Sequence, residues 1–288
     1  MELTIEWIED VMTLAADEEG QVLDLRDVRF VDPYGLLLLD LLIRDRAECG
    51  APLQVAWPVH APVVGWMRAM GRYDRIDRTA QLARRLPRVS TALQPIASIA
   101  DEAAITRLVD GFDARLAERY PLDESPRRTL VRIMIELFQN IPQHSNATGD
   151  AVDPHGIAAM QDYRDGLVLA IADKGVGFRA SLSLRGDGPI ETDSAAIDAA
   201  VLRGLSRFTD PGRGEELMRI VRMVRSWDGT IAVRSGGALF HHDPAQGGDL
   251  YDVAPFPGVQ IALCIPRRVF GIEEVDAKGE RRFNGPDE

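Results

Sequence analysis

Apolar and polar positions along the chain follow two periods. In the first eighty residues, short apolar runs of strand type (Val22 to Leu25, Arg29 to Val31, Leu53 to Trp57) alternate with stretches of helical spacing. Leu36 to Arg46 predicts a helix. Asp32 is placed to cap it, because its carboxylate can accept the free amides of a first turn, and Pro33 suits the first helical position. Gly50 stops that helix. Pro62 to Met70 predicts a short amphipathic helix ended by Gly71. Strand, helix, strand, helix implies a small α/β layer structure.

The pattern then lapses. Residues 83–96 carry three arginines and two prolines without a period and are expected to be a linker. A second unit follows. Ile99 to Tyr120 is an amphipathic helix closed by Pro121, and Arg127 to about Ile141 is another, with Leu130, Ile133, Met134, Leu137 and Phe138 on one stripe. Residues 145–156 are a polar loop, and Gly166 to Asp173 is a buried strand. Residues 179–213 are rich in Gly, Ser, Asp and Arg, with a helical interlude near Ala195 to Phe208. Glu215 to Trp227 predicts a long helix, and Thr230 to Val233 and Val259 to Ile265 predict strands. Between those strands, residues 235–257 form a Gly-, His- and Asp-rich insertion of hairpin type with a mobile tip. Residues 267–288 are a charged tail.

Composition narrows the classes. The 288 residues are 45% hydrophobic and 27% charged, enough apolar material for one large or two medium domains. A net charge of -12 opposes general nucleic-acid binding. Two distant cysteines, Cys49 and Cys264, exclude a disulfide scaffold and a cysteine zinc site, and suit a reducing compartment. The longest apolar run, near Gly35 to Ile43, is too short for a membrane span, and the acidic opening MELTIEWIED lacks a signal-peptide pattern. A cytoplasmic protein is expected.

Three clusters in the second unit carry candidate chemistry. Glu136, Asn140 and His144 are spaced i, i+4, i+8 and share one face of a continuous helix, bordering the apolar stripe. An Asn amide oxygen there can hold a hard cation such as Mg²⁺, and a Glu can orient or deprotonate a nucleophile; a solvated helix edge accounts for the same triplet. Asp173-Lys-Gly-Val-Gly-Phe178 follows the strand directly. A carboxylate at a strand end beneath two glycines can face a pocket while bare backbone admits a flat ligand, although a plain strand-to-loop turn has the same composition. Pro211-Gly-Arg-Gly214 precedes the helix from Glu215, where free amides and the dipole favour an anion.

The order of these clusters, the strand between the first two, the long polar segment between the second and third, and the ending WDGTIAVRSGG then GVQIALCIP resemble the GHKL ATPase family of gyrase B, histidine kinases and anti-sigma-factor serine kinases. ELFQN resembles its N box, DKGVGF its first glycine box and PGRGEEL its second, over roughly residues 97–266. The resemblance implies ATP and Mg²⁺ as ligands. Asn140 would coordinate the metal, and Glu136 would be the general base or would position the attacking group. Asp173 would accept from the adenine amino group, and Gly175 and Gly177 would shape the adenine floor. Gly212 and Gly214 would turn the lid, residues 179–213, into the helix at the phosphates. Arg207 or Arg213 would neutralise phosphate charge. Opposite a guanine carbonyl the Asp173 carboxylate would be left unpaired, a mismatch of a few kcal/mol. Two positions depart from the family pattern. Glu216 stands where a further glycine is common, a side chain and a charge that crowd a triphosphate. Pro142 lies inside the N-box helix and is expected to kink or end it.

Residues 21–75 resemble a STAS module through VLDLRDVRFVDPYG and the following LLLLDLL, without a Ser or Thr ahead of Gly35 for phosphorylation. The expected architecture is therefore α/β with two domains. A STAS-like interaction domain over 1–82 is joined by the linker 83–96 to a GHKL sandwich over 97–266, whose mixed sheet has helices on one face, and the tail is 267–288. The expected function is a nucleotide switch or Ser/Thr kinase acting on a partner through the STAS-like domain or the lid, with a homodimer allowed. An orthodox histidine kinase is disfavoured because residues 97–130 contain no His. A non-catalytic interaction protein with a degenerate site is the alternative. A dinucleotide oxidoreductase is a remote one: Gly175, Gly177 and Ala180 fit its fingerprint, but the turn formers after them do not suit a helix. A metal hydrolase on His144, His155, His241 and His242 lacks the ligand spacing.

Overall fold

The computed structural model describes residues 1–17, 22–71, 92–120, 124–144, 156–186, 188–208 and 214–271. The N-terminal elements are β1 (Glu2–Leu3), α1 (Ile8–Asp17), β2 (Val22–Asp24), β3 (Phe30–Val31), α2 (Pro33–Glu48), β4 (Gln54–Ala56) and α3 (Ala61–Ala69). β1 pairs with β3 and β2 with β4, both in parallel. Asp32 caps α2 as its sequence position predicts. Its Oδ1 accepts from the Gly35 amide at 2.7 Å and its Oδ2 from the Ile5 amide at 3.0 Å, tying the helix start to the segment after β1.

The remaining elements build one sheet and its cover. They are β5 (Ala92–Ser98), α4 (Glu102–Arg119), α5 (Glu124–His144), β6 (Ile157–Asp162), β7 (Gly166–Ala172), α6 (Gly177–Ser183), α7 (Asp193–Ile197), α8 (Glu215–Ser226), β8 (Thr230–Asp243) and β9 (Gly247–Pro266). A π-turn, Asp198–Leu202, follows α7, and a 3₁₀ turn, Arg267–Phe270, follows β9. The sheet order is β5-β6-β7-β9-β8. Each neighbouring pair is antiparallel, so the sheet is not mixed.

Strand alternation separates the two faces by size. Leu167, Leu169 and Ile171 of β7, with Ile261, Leu263 and Ile265 of β9, pack under α4, α5 and α8 against Leu130, Phe138, Leu217 and Val221. The intervening Ala170, Ala172, Ala232 and Ala262 face the other way, into a core shared with Leu36 to Leu39 of α2 and Ile8 and Val11 of α1. Small residues on that face let the leucine-rich α2 lie close. The sheet is thus covered on both faces, correcting the expectation of helices on one face. The described elements of the region expected to form a separate domain, β1 to α3, supply the second cover. Both faces being apolar is also why GLVLAIA reads as a continuous run rather than an apolar-polar alternation.

Other boundaries differ from the sequence reading. Of the expected linker, residues 83–91 lie outside the described residues, and Ala92 to Ile96 belong to β5. α5 runs to His144, two residues past Pro142. So near the helix end, the missing proline amide leaves only the Phe138 carbonyl without its helical donor. The 235–257 segment is the outer part of the β8–β9 hairpin, paired from Gly236–Phe256 to Asp243–Gly247. Of the tail, Phe270 is buried and its ring stacks on Tyr120 at 4.4 Å between centroids; residues 272–288 lie outside the described residues. Gly177 does open a helix, the short α6, so the turn formers are not what argues against a dinucleotide fold. The absence of a parallel strand pair from β5 to β9 is. No helix among the described residues is long and apolar enough to cross a membrane.

Candidate functional site

A cleft opens on the helical face of the sheet, at the end where β7 runs out into α6. It has about 820 Å³ of empty space, part of it open to solvent. α5 supplies Leu137, Asn140 and Ile141 to one wall. The ends of β7 and β9 supply Ile171, Asp173, Val259 and Ile261 to the floor. Gly177, Phe178, Leu205, Ser206 and Arg207 come from the segment between β7 and α8, and Gly214, Glu216 and Leu217 from the start of α8. Five of the candidate site residues read from sequence, Asn140, Asp173, Gly177, Arg207 and Gly214, therefore share one cleft, although they are spread over 75 positions. Apolar side chains such as Ile141, Ile171, Val259 and Ile261 line it together with a few polar groups, the form expected of a small-molecule site.

Asp173 is the most perturbed polar group there. It is 8% exposed. Burial pushes its carboxyl up to about 7, opposed by two backbone amides that favour the charged form, those of Gly175 and Val259. Both amides donate to Oδ1, at 2.7 and 3.2 Å. No described residue donates to Oδ2, which leaves an acceptor for a ligand. Gly175 thus holds the carboxylate and is not among the cleft-lining residues, a correction to its expected place in the floor beside Gly177.

Three residues that complete this corner were not singled out from sequence. Gly258 has φ +84, and a Cβ there would sit 2.0 Å from the Asp173 carbonyl oxygen, so no side chain is tolerated. Ser235 accepts from the Phe178 amide and donates to the Gly258 carbonyl, each at 3.0 Å, clamping the glycine turn to the sheet. Gln260 donates from Nε2 to the Asp173 carbonyl at 2.9 Å. The dipeptide Pro257-Gly258 just before the last strand was the available signal, since it marks a tight turn.

The floor is also tied to the N-terminal elements. Lys174, whose side chain is 8% exposed, reaches Asp45 at 2.9 Å and Glu48 at 2.6 Å on α2. Arg234 of β8 is fully buried. It donates to Glu9 of α1 at 3.0 Å, to the Ala254 carbonyl and to Gln260 Oε1 at 3.5 Å. A continuous polar path thus runs from Glu9 through Arg234 and Gln260 to the peptide of Asp173. Burial raises the pKa of Glu9, with the adjacent Arg234 guanidinium acting in the opposite sense.

The α8 end of the cleft is built differently from the sequence expectation. Gly214 caps α8 with φ +94, and a Cβ would fall 2.6 Å from Ser206 Cβ and 2.7 Å from the Gly204 carbonyl oxygen. Its amide does not point at open space: Glu216 Oε2 accepts it at 2.6 Å. Gly212 and Arg213 lie outside the described residues. Glu136, one turn before Asn140, is not among the cleft-lining residues, and its carboxylate faces Arg132 at 3.9 Å. The side chain of His144 and all of His155 lie outside the described residues. Among those described, no group of three or more His, Cys, Asp or Glu is arranged to hold a metal. No protein-family model matches the chain, and no curated protein matches it.

Proposed function

We propose that the chain is an adenine-nucleotide-binding regulatory protein of the GHKL type, in which occupancy of the cleft acts as the switch. The observation that carries this reading is the half-satisfied Asp173 carboxylate at the end of β7, in a largely apolar cleft that Asn140 also lines. Oδ2 suits an amino donor on a flat ring, and Ile171, Val259 and Ile261 offer that ring apolar contact.

The adenosine part of the implied ligand fits these residues. The magnesium triphosphate part does not fit them as they stand. Asn140 is the one expected metal ligand on the wall, Glu136 faces Arg132, and the Gly214 amide at the α8 cap is taken by Glu216. Binding is therefore the activity that the geometry favours over phosphoryl transfer, and a partner-directed kinase has no placed general base here. A non-catalytic interaction protein is the second reading. It is favoured by Glu216, which lines the cleft and holds the Gly214 amide.

Titration calorimetry tests the reading. Adenosine should bind the wild-type chain, and Asp173→Asn should weaken it by about 2–4 kcal/mol, because an acceptor becomes a misplaced donor. Equal affinity in the two proteins would remove Asp173 from the site.

A further inference from the structure

The residue that departs most from the family pattern, Glu216, lies inside the cleft. Its carboxylate is not a bystander there: it accepts the Gly214 amide at 2.6 Å, at the N-terminus of the twelve-residue α8. The positive end of that helix is the feature that would otherwise draw an anion into the cleft. The chain sets an anion of its own on the N-cap amide of that helix. The neighbouring Glu215 points elsewhere and pairs with Arg219. Of the other charged side chains among the described residues that line the cleft, Asp173 is a second acid and Arg207 a cation. A phosphate entering at α8 would meet a fixed negative charge and a donor already engaged.

We infer that Glu216 makes this cleft select purine nucleosides over their triphosphates: the carboxylate occupies the anion position, and the ligand class is adenosine or its minimally phosphorylated forms. The inference deepens the reading of the cleft as an adenine site and rests on it. The physical basis is a difference between two ends of one ligand. The Asp173 end is built to receive a neutral donor, and the α8 end repels a polyanion until Glu216 leaves the Gly214 amide. Leaving it exposes the carboxylate and empties the cap, so the cost falls on ATP and not on adenosine.

Calorimetric titration of the full chain with adenosine, AMP and ATP, each with and without Mg²⁺, separates the possibilities. It is repeated on Glu216→Gln, which removes the charge but keeps an acceptor, and on Glu216→Gly, with thermal melts confirming that both variants fold. The wild type should bind adenosine at least tenfold more tightly than ATP. Both variants should tighten ATP by about tenfold, as expected for removing a like charge at a helix N-terminus, and leave adenosine within about twofold. ATP binding tighter than adenosine in the wild type, with or without Mg²⁺, would overturn the inference. So would an ATP affinity unchanged in both variants. In each of those cases adenosine binding would still uphold the adenine site. Failure of adenosine and ATP alike to bind all three proteins would end the adenine reading, and this inference with it.

Discussion

At the scale of single residues, the cleft depends on one carboxyl that is costly to ionise. Asp173 and Asp32 are each pushed up to about 7 by burial, from the ordinary 3.8. A carboxyl whose folded pKa exceeds its unfolded value binds more protons when folded. Its contribution to stability is full below about pH 4 and is lost as pH rises toward 7. Asp173→Asn removes one such group while keeping an acceptor for the Gly175 amide. Relative to wild type, the variant should therefore gain stability between pH 5 and pH 8, by a few kcal/mol at most, in denaturant titrations. A stability difference that does not change with pH would mean that Asp173 is not a buried acid. The position of Asp173 was legible in the sequence because a strand ends there in Asp followed by Gly-Val-Gly. Its partners were not, since Val259, Gly258 and Gln260 reach it across more than 80 positions of chain.

At the scale of elements, sequence patterns fixed types better than ends. The N-box helix was expected to yield at Pro142, but α5 continues to His144, because a proline in the last turn forfeits a single bond. β6 was missed inside a polar context: Gln161 and Asp162 break the apolar run, yet both are buried, with Asp162 held by Arg119, Tyr120 and Arg267. The link between α2 and the cleft floor was invisible for another reason. Lys174 sits in a glycine-rich motif and pairs with Asp45 and Glu48, carboxylates that look like an ordinary solvated helix face. Lys174→Ala leaves those two carboxylates facing each other and frees the peptide after Asp173. It should lower stability by about 1–3 kcal/mol and weaken adenosine binding, with Lys174→Arg restoring much of both. Unchanged melting and unchanged affinity would show that the tether does not position the floor.

At the scale of the molecule, the inner part of the sheet is covered on both faces. Its alanine-lined side is filled by α1 and α2, so the N-terminal elements and the elements from β5 to β9 share one core rather than forming two independent domains. The sequence pointed to two units because strand-helix alternation restarts after the arginine- and proline-rich segment, and nothing local reports that two faces meet. A chain with a shared core should unfold in one cooperative step, with coincident fluorescence and far-ultraviolet circular dichroism transitions in denaturant. Two separated transitions would contradict the shared core. The same packing gives α2 and the Asp32–Gly35 turn an intramolecular role, as part of the cover of the chain's own sheet.

The central claim is that Oδ2 of Asp173 receives an amino group from a purine ring. The most direct measurement is a pair of calorimetric titrations of the wild-type chain with adenosine and with inosine, which differ in that the ring amino donor is replaced by a carbonyl acceptor. The account predicts that adenosine binds at least tenfold more tightly, because inosine sets a carbonyl against the carboxylate. Equal affinities for the two nucleosides would contradict it.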